Sequence, residues 1–335
     1  MLKINNQNEL SHNKNPVIWT LTDNRPGNNS QVLGVGQHIN YPTTRVEVIY
    51  NNFFFLRSFL SNSSSIGFSR DTFSSAKLPW PDLVISAGRR AAHFASWIKT
   101  QSLVSTKLVS IMFPGRNIYN NFDLIAIPKH DNIDKFKESS KIMRISGAPS
   151  NISDSLLEQK KSQFSKVFND FPRPLIAILV GGDTKKYKYS FRDCFDFSKD
   201  LSHLSKTTNG TFLLATSRRT SKMMQRVLQK ETPNLNHTSI WDQKKINYYL
   251  AYLAIADEII VTGDSISMCS EALSTKKPVY IYLPSSLKNT KYSRYSEEMF
   301  KNGYAKPFQG KLESWESNYI SSEIALAGRI NKFFL

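Results

Sequence analysis

Residues 262–279 have the sequence TGDSISMCSEALSTKKPV, and this stretch decides the fold class of the chain. An apolar run at 254–261 (AIADEIIV) precedes it, and we expect that run to end as a buried strand. A Gly-Asp-Ser turn then leads into a helix, for which Ser267 is the expected N-cap. A second apolar segment, at 278–283, follows the helix. The order strand, polar turn, helix and strand predicts a βαβ unit.

The start of this predicted helix suits a phosphate group. A helix N-terminus presents unpaired N–H groups and the positive end of the helix dipole. Glu271 lies about one turn into the helix, where a carboxylate can accept hydrogen bonds from a ribose diol. The stretch therefore predicts half of a nucleotide site. The alternative is an ordinary βαβ unit with a capped helix.

Short apolar segments alternate with helical patterns along the rest of the chain. The run at 175–180 (LIAILV) is apolar throughout, which is typical of a parallel strand buried on both faces. Further strands are expected at 17–21, 46–49, 83–86, 107–112, 124–127 and 211–215. This alternation predicts an α/β fold with parallel sheets and helices on both faces.

The length and the pattern along the chain predict two domains. The chain has 335 residues, of which 40% are hydrophobic, enough for two domains of ordinary size. The pattern changes to polar and charged residues near 145–175. We therefore expect one α/β domain at 1–155 and a second at 172–320. A C-terminal helix at 321–335 is expected to pack back on the first domain.

The formal net charge of +17 narrows the classes of partner. A basic chain attracts nucleic acid, anionic membrane surfaces or phosphorylated small molecules. The sequence has no long Lys/Arg block and no zinc-finger spacing, so we expect no nucleic-acid partner. The charge is spread over the chain, which favours attraction to an anionic membrane surface. The alternative is that the charge has no partner and reflects only evolutionary drift toward a composition rich in Lys and Asn.

The remaining composition indicates a cytoplasmic protein, at most peripheral on the inner face of a membrane. The two cysteines, Cys194 and Cys269, are expected to be free buried thiols. The polar start MLKINNQNELSHNKN is unlike a signal peptide, and no apolar run approaches the ~20 residues of a membrane span. No metal-ligand cluster, nucleophile elbow, Walker loop or GxGxxG motif is present.

Five turns after expected strands contain clustered glycines or polar residues, and in parallel sheets such turns meet at one edge. They are residues 23–31, 88–90, 128–131, 181–183 and 216–220. Glycines allow a backbone to approach a ligand closely, and paired arginines neutralise phosphate. His130 beside Asp131 is a candidate acid/base pair. For each turn alone, a solvated turn without chemistry is the alternative.

A series of motifs resembles the mitochondrial-fission ELM family of plants and bacteria, whose bacterial members are often labelled glycosyltransferases. In chain order the motifs are DNRPGNNSQ, SAGRR, FDLIAIPKHD, GAPSN, LVGGD, TSRRT, W-x5-N (Trp241 and Asn247) and TGDSISMCSEALSTKKPVY. The match runs from residue 19 to residue 283. The TSRRT motif and the last motif are the most specific.

The resemblance implies a GT-B-like fold, with two Rossmann-like domains facing a cleft. It places a UDP- or GDP-type nucleotide-sugar in the C-terminal domain and the acceptor on the N-terminal side, with no cofactor and no metal. Ser265, Ser267 and Met268 would line the diphosphate, and Glu271 would bind the ribose. The full implied donor set is Gly182, Thr216, Ser217, Arg218, Arg219, Asn247, Asp264, Ser265, Ser267, Met268 and Glu271. The implied acceptor or cleft set is Gly27, Asn28, Gln31, Gly88, Arg89 and Arg90.

The chain departs from the family pattern at two places. Family members often have Gly-His in the first loop, where this chain has Gly27 and Asn28. A histidine in that loop can serve as the base in related transferases, so His130 or Asp23 would have to replace it here. The family's usual Asn-Pro-Tyr is replaced by Asn247 followed by two tyrosines. Both changes bear on catalysis more than on fold.

The sequence therefore predicts a metal-independent glycosyltransferase acting on an envelope glycolipid or polysaccharide, including lipid-linked acceptors. Two alternatives stay open. One is a non-catalytic adaptor that keeps the fold, and the other is a nucleotide-sugar epimerase.

Overall fold

The structure is a computed structural model that describes residues 15–58, 64–132, 140–184, 187–232, 237–240, 242, 246–313, 315–319 and 321–335. Strands and helices alternate along these residues. The strands are β1 (Ile18–Thr22), β2 (Thr43–Glu47), β3 (Leu83–Ala87), β4 (Lys107–Ile111), β5 (Leu124–Pro128), β6 (Ile142–Ile145), β7 (Leu175–Val180), β8 (Thr211–Thr216), β9 (His237–Ser239), β10 (Glu258–Thr262), β11 (Val279–Tyr282) and β12 (Lys306–Pro307).

The helices fill most of the connections between these strands. They are α1 (Pro26–Gln37), α2 (Arg70–Ser75), α3 (Gly88–Gln101), α4 (Asp154–Phe168), α5 (Phe191–Thr207), α6 (Lys222–Glu231), α7 (Tyr249–Ile255), α8 (Ile266–Leu273), α9 (Lys291–Lys301) and α10 (Ser322–Asn331). Single-turn or short 3₁₀ helices lie at Asn52–Ser58, Tyr119–Asn121, Ser285–Leu287 and Lys332–Phe334. None of the described helices is both long enough and apolar enough to cross a bilayer.

The strands form two six-stranded sheets. The first has the order β2-β1-β3-β4-β5-β6, and β1 runs parallel to both β2 and β3. The second has the order β12-β11-β10-β7-β8-β9, with parallel pairing throughout. Counted from β7, the second order is 6-5-4-1-2-3, which is the Rossmann order read from its other edge. The predicted α/β class with parallel sheets is confirmed.

Alternate residues of the second sheet build two separate cores. On β7, Ala177 and Leu179 pack with residues of α7, α8 and α9 on one face. Ile176, Ile178 and Val180 pack with residues of α5 and α6 on the other face. Because side chains alternate along a strand, an apolar run fills both cores at once. This explains why the run at 175–180 was a reliable strand signal.

Packing groups the chain into two compact units. Unit 1 comprises Met1–Asn29 and Ile39–Ile125, and unit 2 comprises Ser30–His38 and Ala126–Leu335. The domain bounds drawn from the sequence at 155 and 172 remain a prediction. Within unit 2, the carboxylate Oε2 of Glu323 on α10 accepts a hydrogen bond of 3.3 Å from the Ser150 N–H. This contact ties the C-terminal helix to the segment that precedes α4.

Several helices begin earlier than the sequence predicts. Helix α1 starts at Pro26, inside the turn expected at 23–31, because proline is well suited to the first helical position, where no N–H is needed. Helix α3 starts at Gly88, so the expected turn at 88–90 is its first turn. The run at 254–261 is divided, since residues 254 and 255 end α7 and β10 begins at Glu258.

The aromatic segment at 53–73 is partly packed and partly exposed. Phe68 lies edge to face with Phe94 of α3, at a ring-centroid distance of 5.0 Å. Phe53 and Phe55 are 59% and 69% exposed. Phe59, which the sequence places with them, lies outside the described residues, as does Trp241 of the W-x5-N motif. The segment therefore contributes both to the core of unit 1 and to its surface.

Gly34 on α1 marks a close approach between backbones. A Cβ atom added there would lie 1.9 Å from the Ser150 carbonyl oxygen. Gly328 on α10 is also helical, and a Cβ added there would meet nothing within 4 Å.

We predict that Gly34→Ala lowers the free energy of unfolding by about 2 kcal/mol, because α1 or the segment around Ser150 must move. The matched control Gly328→Ala is expected to raise it by about 0.5–1 kcal/mol through helix propensity. Chemical denaturation of the two variants checks the prediction. Equal effects at the two glycines would contradict it.

Candidate functional site

The candidate site in unit 2 lies at the point where the strand order of the second sheet reverses. Strands β7 and β10 are neighbours there, and the connections from them leave in opposite directions along the sheet. Ligands of open α/β sheets bind outside the carboxyl ends of the strands at such a point. Gly181 and Gly182 follow β7, and Gly263 and Asp264 follow β10. The sequence-predicted turns are thus brought together by the sheet.

The carboxylate of Asp264 holds these turns together. Its side chain is completely buried. Oδ2 accepts hydrogen bonds from the Gly182 N–H at 2.7 Å and from Nη2 of Arg219 at 3.2 Å. Oδ1 accepts one from the Tyr189 hydroxyl at 2.7 Å. Burial, and the charge of Asp264, raise the pKa of Tyr189, so this hydroxyl stays protonated and donates. Asp264 therefore binds the loops of the protein and holds them in place.

Arg219 is bound in the same network. Its Nη1 donates to the carbonyl oxygens of Gly182 at 2.8 Å and Asp183 at 3.2 Å. The Asp183 N–H in turn donates to the Arg219 carbonyl at 3.0 Å. The guanidinium thus satisfies carbonyl groups of the turn after β7. Arg218, the neighbouring residue of the predicted donor set, is exposed.

The hydroxyl groups of the turn after β8 also bind the protein backbone. Ser217 Oγ donates to the Gly181 carbonyl at 2.6 Å, and the Thr220 hydroxyl donates to that same carbonyl. The Ser217 N–H donates to Thr220 Oγ1 at 2.9 Å. Thr216, at the end of β8, is buried. The TSRRT motif thus forms a turn that is hydrogen-bonded to the backbone at the end of β7.

The two glycines after β7 are required by packing inside the protein. A Cβ on Gly181 would lie 2.2 Å from Asp264 Oδ2, and one on Gly182 would lie 2.1 Å from the Arg219 carbonyl oxygen. Gly182 also has a φ of +151°, which L side chains rarely adopt. The sequence interpretation was that these glycines leave room for a ligand. In the structure that room is taken by Asp264 and Arg219.

Helix α8 begins without a side-chain cap. Its N-cap is Ser265, which makes no capping hydrogen bond, and the expected cap Ser267 is the second helical residue. The prediction of Ser267 as N-cap was wrong because the turn is two residues shorter than expected. The first N–H of the helical ladder is that of Cys269, which donates to the Ser265 carbonyl at 3.0 Å. The N–H groups of residues 266–268 precede it and have no carbonyl partner within the helix.

Glu271 lies on the same short helix and is held by the hydroxyl of Tyr249. Its Oε2 accepts a hydrogen bond of 2.6 Å from the hydroxyl of Tyr249, the first residue of α7. Burial raises the pKa of the Glu271 carboxyl, against hydrogen bonds from Tyr249 and Ser30 that lower it. Ser30 Oγ also lies 2.8 Å from Asn151 Oδ1, and because a hydroxyl has one proton, it donates to one of these two oxygens at a time. The carboxyl is therefore fixed in direction and keeps acceptor positions for a further donor.

Two other residues of the predicted donor set lie near these elements. Asn247 is exposed, and its Oδ1 accepts a hydrogen bond of 2.9 Å from the Tyr249 N–H. It therefore helps to start α7, which carries the tyrosine that holds Glu271. Met268 is half-buried and packs against the core that α8 shares with α7 and β10.

Unit 1 contains a second group of predicted residues at the reversal point of the first sheet, between β1 and β3. Asp23, after β1, is 5% exposed. Its Oδ1 accepts from the Arg25 N–H at 2.8 Å, and its Oδ2 accepts from the Tyr50 hydroxyl at 3.2 Å. The Arg90 guanidinium lies over the Tyr50 ring, 5.3 Å from its centroid. Asp23 is thus a buried carboxylate with both oxygens engaged.

Helix α3 brings further predicted residues to this region. Gly88 has a φ of +74°, and a Cβ there would lie 3.1 Å from Asn28 Nδ2. That amide nitrogen is buried and makes no hydrogen bond with any described residue. Arg89 is exposed on the first turn of α3, and Gly27 is the second residue of α1.

Gln31, further along α1 and assigned to unit 2, is 5% exposed. Its Oε1 is buried and accepts no hydrogen bond from the residues that the structure describes. Because this amide is buried, it is poorly placed to hydrogen-bond the hydroxyl groups of a ligand that enters from solvent.

His130, the other candidate base, is a buried residue of unit 2. It is 5% exposed, and its ring meets Tyr295 edge to face at a centroid distance of 5.4 Å. Burial lowers its pKa to about 4, helped by Lys291, Arg294 and Arg144, while Asp131 opposes the shift. The imidazole is therefore neutral at pH 7 and a weak base. The structure thus gives His130 a place in the packing of α9.

Sequence reasoning missed three hydroxyl groups that organise the site: those of Tyr189, Tyr249 and Ser30. Tyr189 lies 75 residues from Asp264, and Tyr249 lies 22 residues from Glu271. Nothing in the local pattern distinguishes these tyrosines from the other twelve among the fourteen in the chain. Ser30 lies within the DNRPGNNSQ motif, so its presence in that motif was the one sequence feature that could have pointed to it.

Comparisons with known proteins agree with this architecture. The family model described as mitochondrial fission ELM1 matches residues 26–334. The protein RP120 of Rickettsia prowazekii is 30% identical over 94% of this chain and 99% of its own length. The mitochondrial fission protein ELM1 of Arabidopsis thaliana is 26% identical over 75% of this chain and 64% of its own length. The aligned part thus covers less than two thirds of the plant protein.

A solved structure shows the same fold at low sequence identity. The UDP-GlcNAc 2-epimerase of Methanocaldococcus jannaschii superposes with a TM-score of 0.55 and 13% identity, covering 94% of this chain and 99% of that one. Its complex with UDP-GlcNAc and UDP gives a TM-score of 0.52. At this identity the likeness shows the fold alone, and the expected GT-B-like architecture is confirmed.

We predict that Asp264→Asn lowers the free energy of unfolding by about 3 kcal/mol, because it removes the buried charge that Arg219 and Tyr189 share. The control is Asp196→Asn, since Asp196 is 56% exposed in its pair with Arg192. That change is expected to stay within about 0.5 kcal/mol. Denaturant unfolding measures both, and similar losses would argue against a central role for Asp264.

We also predict a pH signature for His130. A histidine whose folded pKa is about 4, below its ordinary value of about 6.5, stabilises the fold above pH 6.5 and loses that contribution as pH falls toward 4. His130→Phe removes this titration while keeping an aromatic ring beside Tyr295. The variant should therefore gain up to about 3 kcal/mol over wild type between pH 6.5 and pH 4.

Unfolding measured across that pH range tests the His130 prediction. The exposed His38, changed to Phe in the same way, is the matched control. A wild-type pH profile in His130→Phe would show that the imidazole is not buried in the neutral form.

Proposed function

For this chain, which belongs to the mitochondrial fission ELM1 family, we propose that unit 2 binds a nucleotide-sugar and supports transfer of its sugar to an acceptor. The observation that carries the proposal is the uncapped N-terminus of α8 at the strand-reversal point, with Glu271 on the same helix. A helix N-terminus can bind the diphosphate of a nucleotide. A carboxylate about one turn later is then placed to bind the ribose of the same nucleotide. The donor proposed first is a UDP-sugar, and a GDP-sugar is the second.

The diphosphate would lie against the first turn of α8. The unpaired N–H groups of residues 266–268 point out of the helix there, and the helix dipole favours negative charge. The hydroxyls of Ser265 and Ser267 are partly exposed beside them. Arg218 is exposed on the turn after β8, the strand next to β7, and supplies positive charge. Fixed donors of this kind stabilise a leaving diphosphate without having to reorganise.

The ribose would be read by Glu271. Because Tyr249 already donates to Oε2, the carboxyl cannot turn away, and its remaining lone pairs accept from the two ribose hydroxyls. A ligand that donates two hydrogen bonds favours the ionised form over the protonated form that burial favours. Binding is therefore expected to weaken as pH falls through the raised pKa of this carboxyl.

The residues predicted to activate an acceptor as a base are engaged in hydrogen bonds or buried. Asp23 has both oxygens engaged, His130 is buried with a pKa of about 4, and Asn28 occupies the position where family members often have histidine. These observations support a second candidate function, a non-catalytic adaptor that keeps the nucleotide-sugar pocket. An epimerase also shares this fold, but its acid/base pair would need the same buried His130.

Attachment to an anionic membrane surface belongs to the proposal as well. Phe53 and Phe55 expose their rings, at 59% and 69%, in a chain of net charge +17. Aromatic rings next to positive charge are suited to a lipid headgroup region. In the transferase hypothesis this attachment brings the enzyme to a glycolipid, lipid-linked or polysaccharide acceptor of the cell envelope.

We predict that Glu271→Gln weakens binding of the best UDP-sugar by at least about tenfold, because it removes the charge from the ribose acceptor. The amide keeps the shape of the side chain and an oxygen for Tyr249, so the fold should persist. Calorimetry with UDP-GlcNAc, UDP-glucose and GDP-mannose measures the change.

The matched control is Glu158→Gln on the exposed face of α4, which should bind as wild type does. Wild-type affinity in Glu271→Gln would remove the ribose assignment. Wild-type protein that binds no member of the panel would remove the nucleotide-sugar proposal. Sugar transfer or donor hydrolysis by wild type would decide against the adaptor.

A further inference from the structure

A separate cavity in unit 1 is lined by positive charge. It has a volume of about 430 Å³. The residues around it are Arg89, His93, Phe113, Pro114, Gly115, Arg116, Asn117 and Ile118. None of these lining residues is acidic. Arg89 and Arg116 are both exposed, and neither forms an ion pair with any residue in the described part of the chain.

The cavity lies along the first turns of α3. Arg89 is the second residue of that helix, and His93 is four residues later on the same face. The N-cap, Ala87, has no side chain able to cap the helix, and the first turn contains no acidic residue. Two arginines in a first turn oppose the helix dipole, which favours negative charge at that end. The arrangement is unfavourable for the empty protein and favourable for a bound anion.

Two buried polar atoms near this helix start have no partner. Nδ1 of His93 is buried and makes no hydrogen bond among the described residues. Burial, and the charge of Arg57, lower the pKa of His93 to about 4, so the ring is neutral at pH 7. Nδ2 of Asn28 is likewise buried and unpaired within the described ranges, close to the backbone of Gly88. Of these two residues it is His93 that lines the cavity, and its buried polar atom without a partner indicates a ligand or water there.

The opposite wall of the cavity is built by the segment after β4. Met112 adopts a φ of 69°, which is uncommon for a residue other than glycine, and Gly115 one of +120°. The backbone changes direction at these two residues. They place Phe113 and Pro114 on the wall and Arg116 at the rim. Ile118 closes the segment and is 1% exposed.

The cavity is larger than an inorganic phosphate requires. A water molecule occupies about 30 Å³ of liquid, so the volume leaves room for a phosphate together with an organic group. The apolar part of the wall, formed by Phe113, Pro114 and Ile118, would contact that group. Arginine is the side chain best matched to phosphate oxygens, through paired N–H donors.

We propose that this cavity is a binding site for a phosphate monoester whose organic part is apolar, held by Arg89 and Arg116 at the N-terminus of α3. The site belongs to unit 1 and shares no residue with the nucleotide-sugar site proposed in unit 2. The same chemistry is offered by a soluble organic phosphate and by a phosphomonoester lipid headgroup.

Calorimetry on the full-length protein tests the site with phenyl phosphate and with inorganic phosphate. Phenyl phosphate should bind, and should bind about tenfold more tightly than inorganic phosphate because its ring covers the apolar wall. Arg89→Ala and Arg116→Ala should each weaken it by about tenfold, since each removes charge-assisted hydrogen bonds. Both side chains are exposed, so both variants should unfold at the wild-type temperature.

The matched control is Arg70→Ala, which removes the same charge from the first residue of α2 in the same unit. It should leave phenyl phosphate binding unchanged. Failure of wild type to bind phenyl phosphate would overturn the proposal. So would losses in Arg89→Ala and Arg116→Ala no larger than in Arg70→Ala.

A second arm separates the two sources of phosphate. Sedimentation is measured with phosphatidylcholine vesicles, with and without phosphatidic acid. Phosphatidic acid binding that Arg116→Ala reduces, and Arg70→Ala does not, supports the site and assigns it to a lipid headgroup. Arginine-dependent binding of phenyl phosphate without vesicle binding supports the site and assigns it to a soluble ligand.

The two proposals fail separately. Phenyl phosphate binding that depends on Arg116, in a protein that binds no nucleotide-sugar, would keep this site and remove the proposed function. UDP-sugar binding that depends on Glu271, with no phenyl phosphate binding, would do the reverse.

Discussion

The buried carboxylate of Asp264 is the interaction on which the second half of the molecule depends. One side chain without solvent contact accepts hydrogen bonds from the turn after β7, from Arg219 after β8 and from Tyr189 before α5. Burying a charge is costly unless it is paired and hydrogen-bonded, so these donors must all be in place together. The connections β7–α5, β8–α6 and β10–α8 are thereby fixed relative to one another at the strand ends.

This arrangement explains why so many motif residues face inward. The glycines after β7 make room for Asp264 and for the Arg219 backbone, and the hydroxyls of the TSRRT motif bind the Gly181 carbonyl. Few groups are therefore left for the proposed ligand. They are the uncapped first turn of α8, the partly exposed serines beside it, and Glu271, which Tyr249 holds. A rigid set of loops supports a small set of free donors and acceptors.

The two units share one physical device. In each, a helix of eight or more residues starts at a strand-reversal point without a side-chain cap: α3 in unit 1 and α8 in unit 2. An uncapped helix start leaves N–H groups and a partial positive charge for an anion. The surroundings differ, because α8 itself contains the carboxylate of Glu271, whereas α3 begins with arginines beside an apolar wall. This difference in surroundings is why we propose different phosphorylated ligands for the two helix starts.

The sequence by itself determined the fold class and the location of the turns. A run such as 175–180 is apolar at every position and has one explanation, a strand buried on both faces, and the order of the motifs identified the family. The sequence could not assign roles within those turns. A glycine beside a ligand and a glycine beside the Asp264 side chain look identical in a sequence. Only the tertiary structure decided that Asp264, Ser217 and Arg219 bind the protein, that His130 is buried, and that Tyr189, Tyr249 and Ser30 complete the site. These are contacts between residues far apart in the chain, and their distances depend on strand order and packing, which local pattern does not encode.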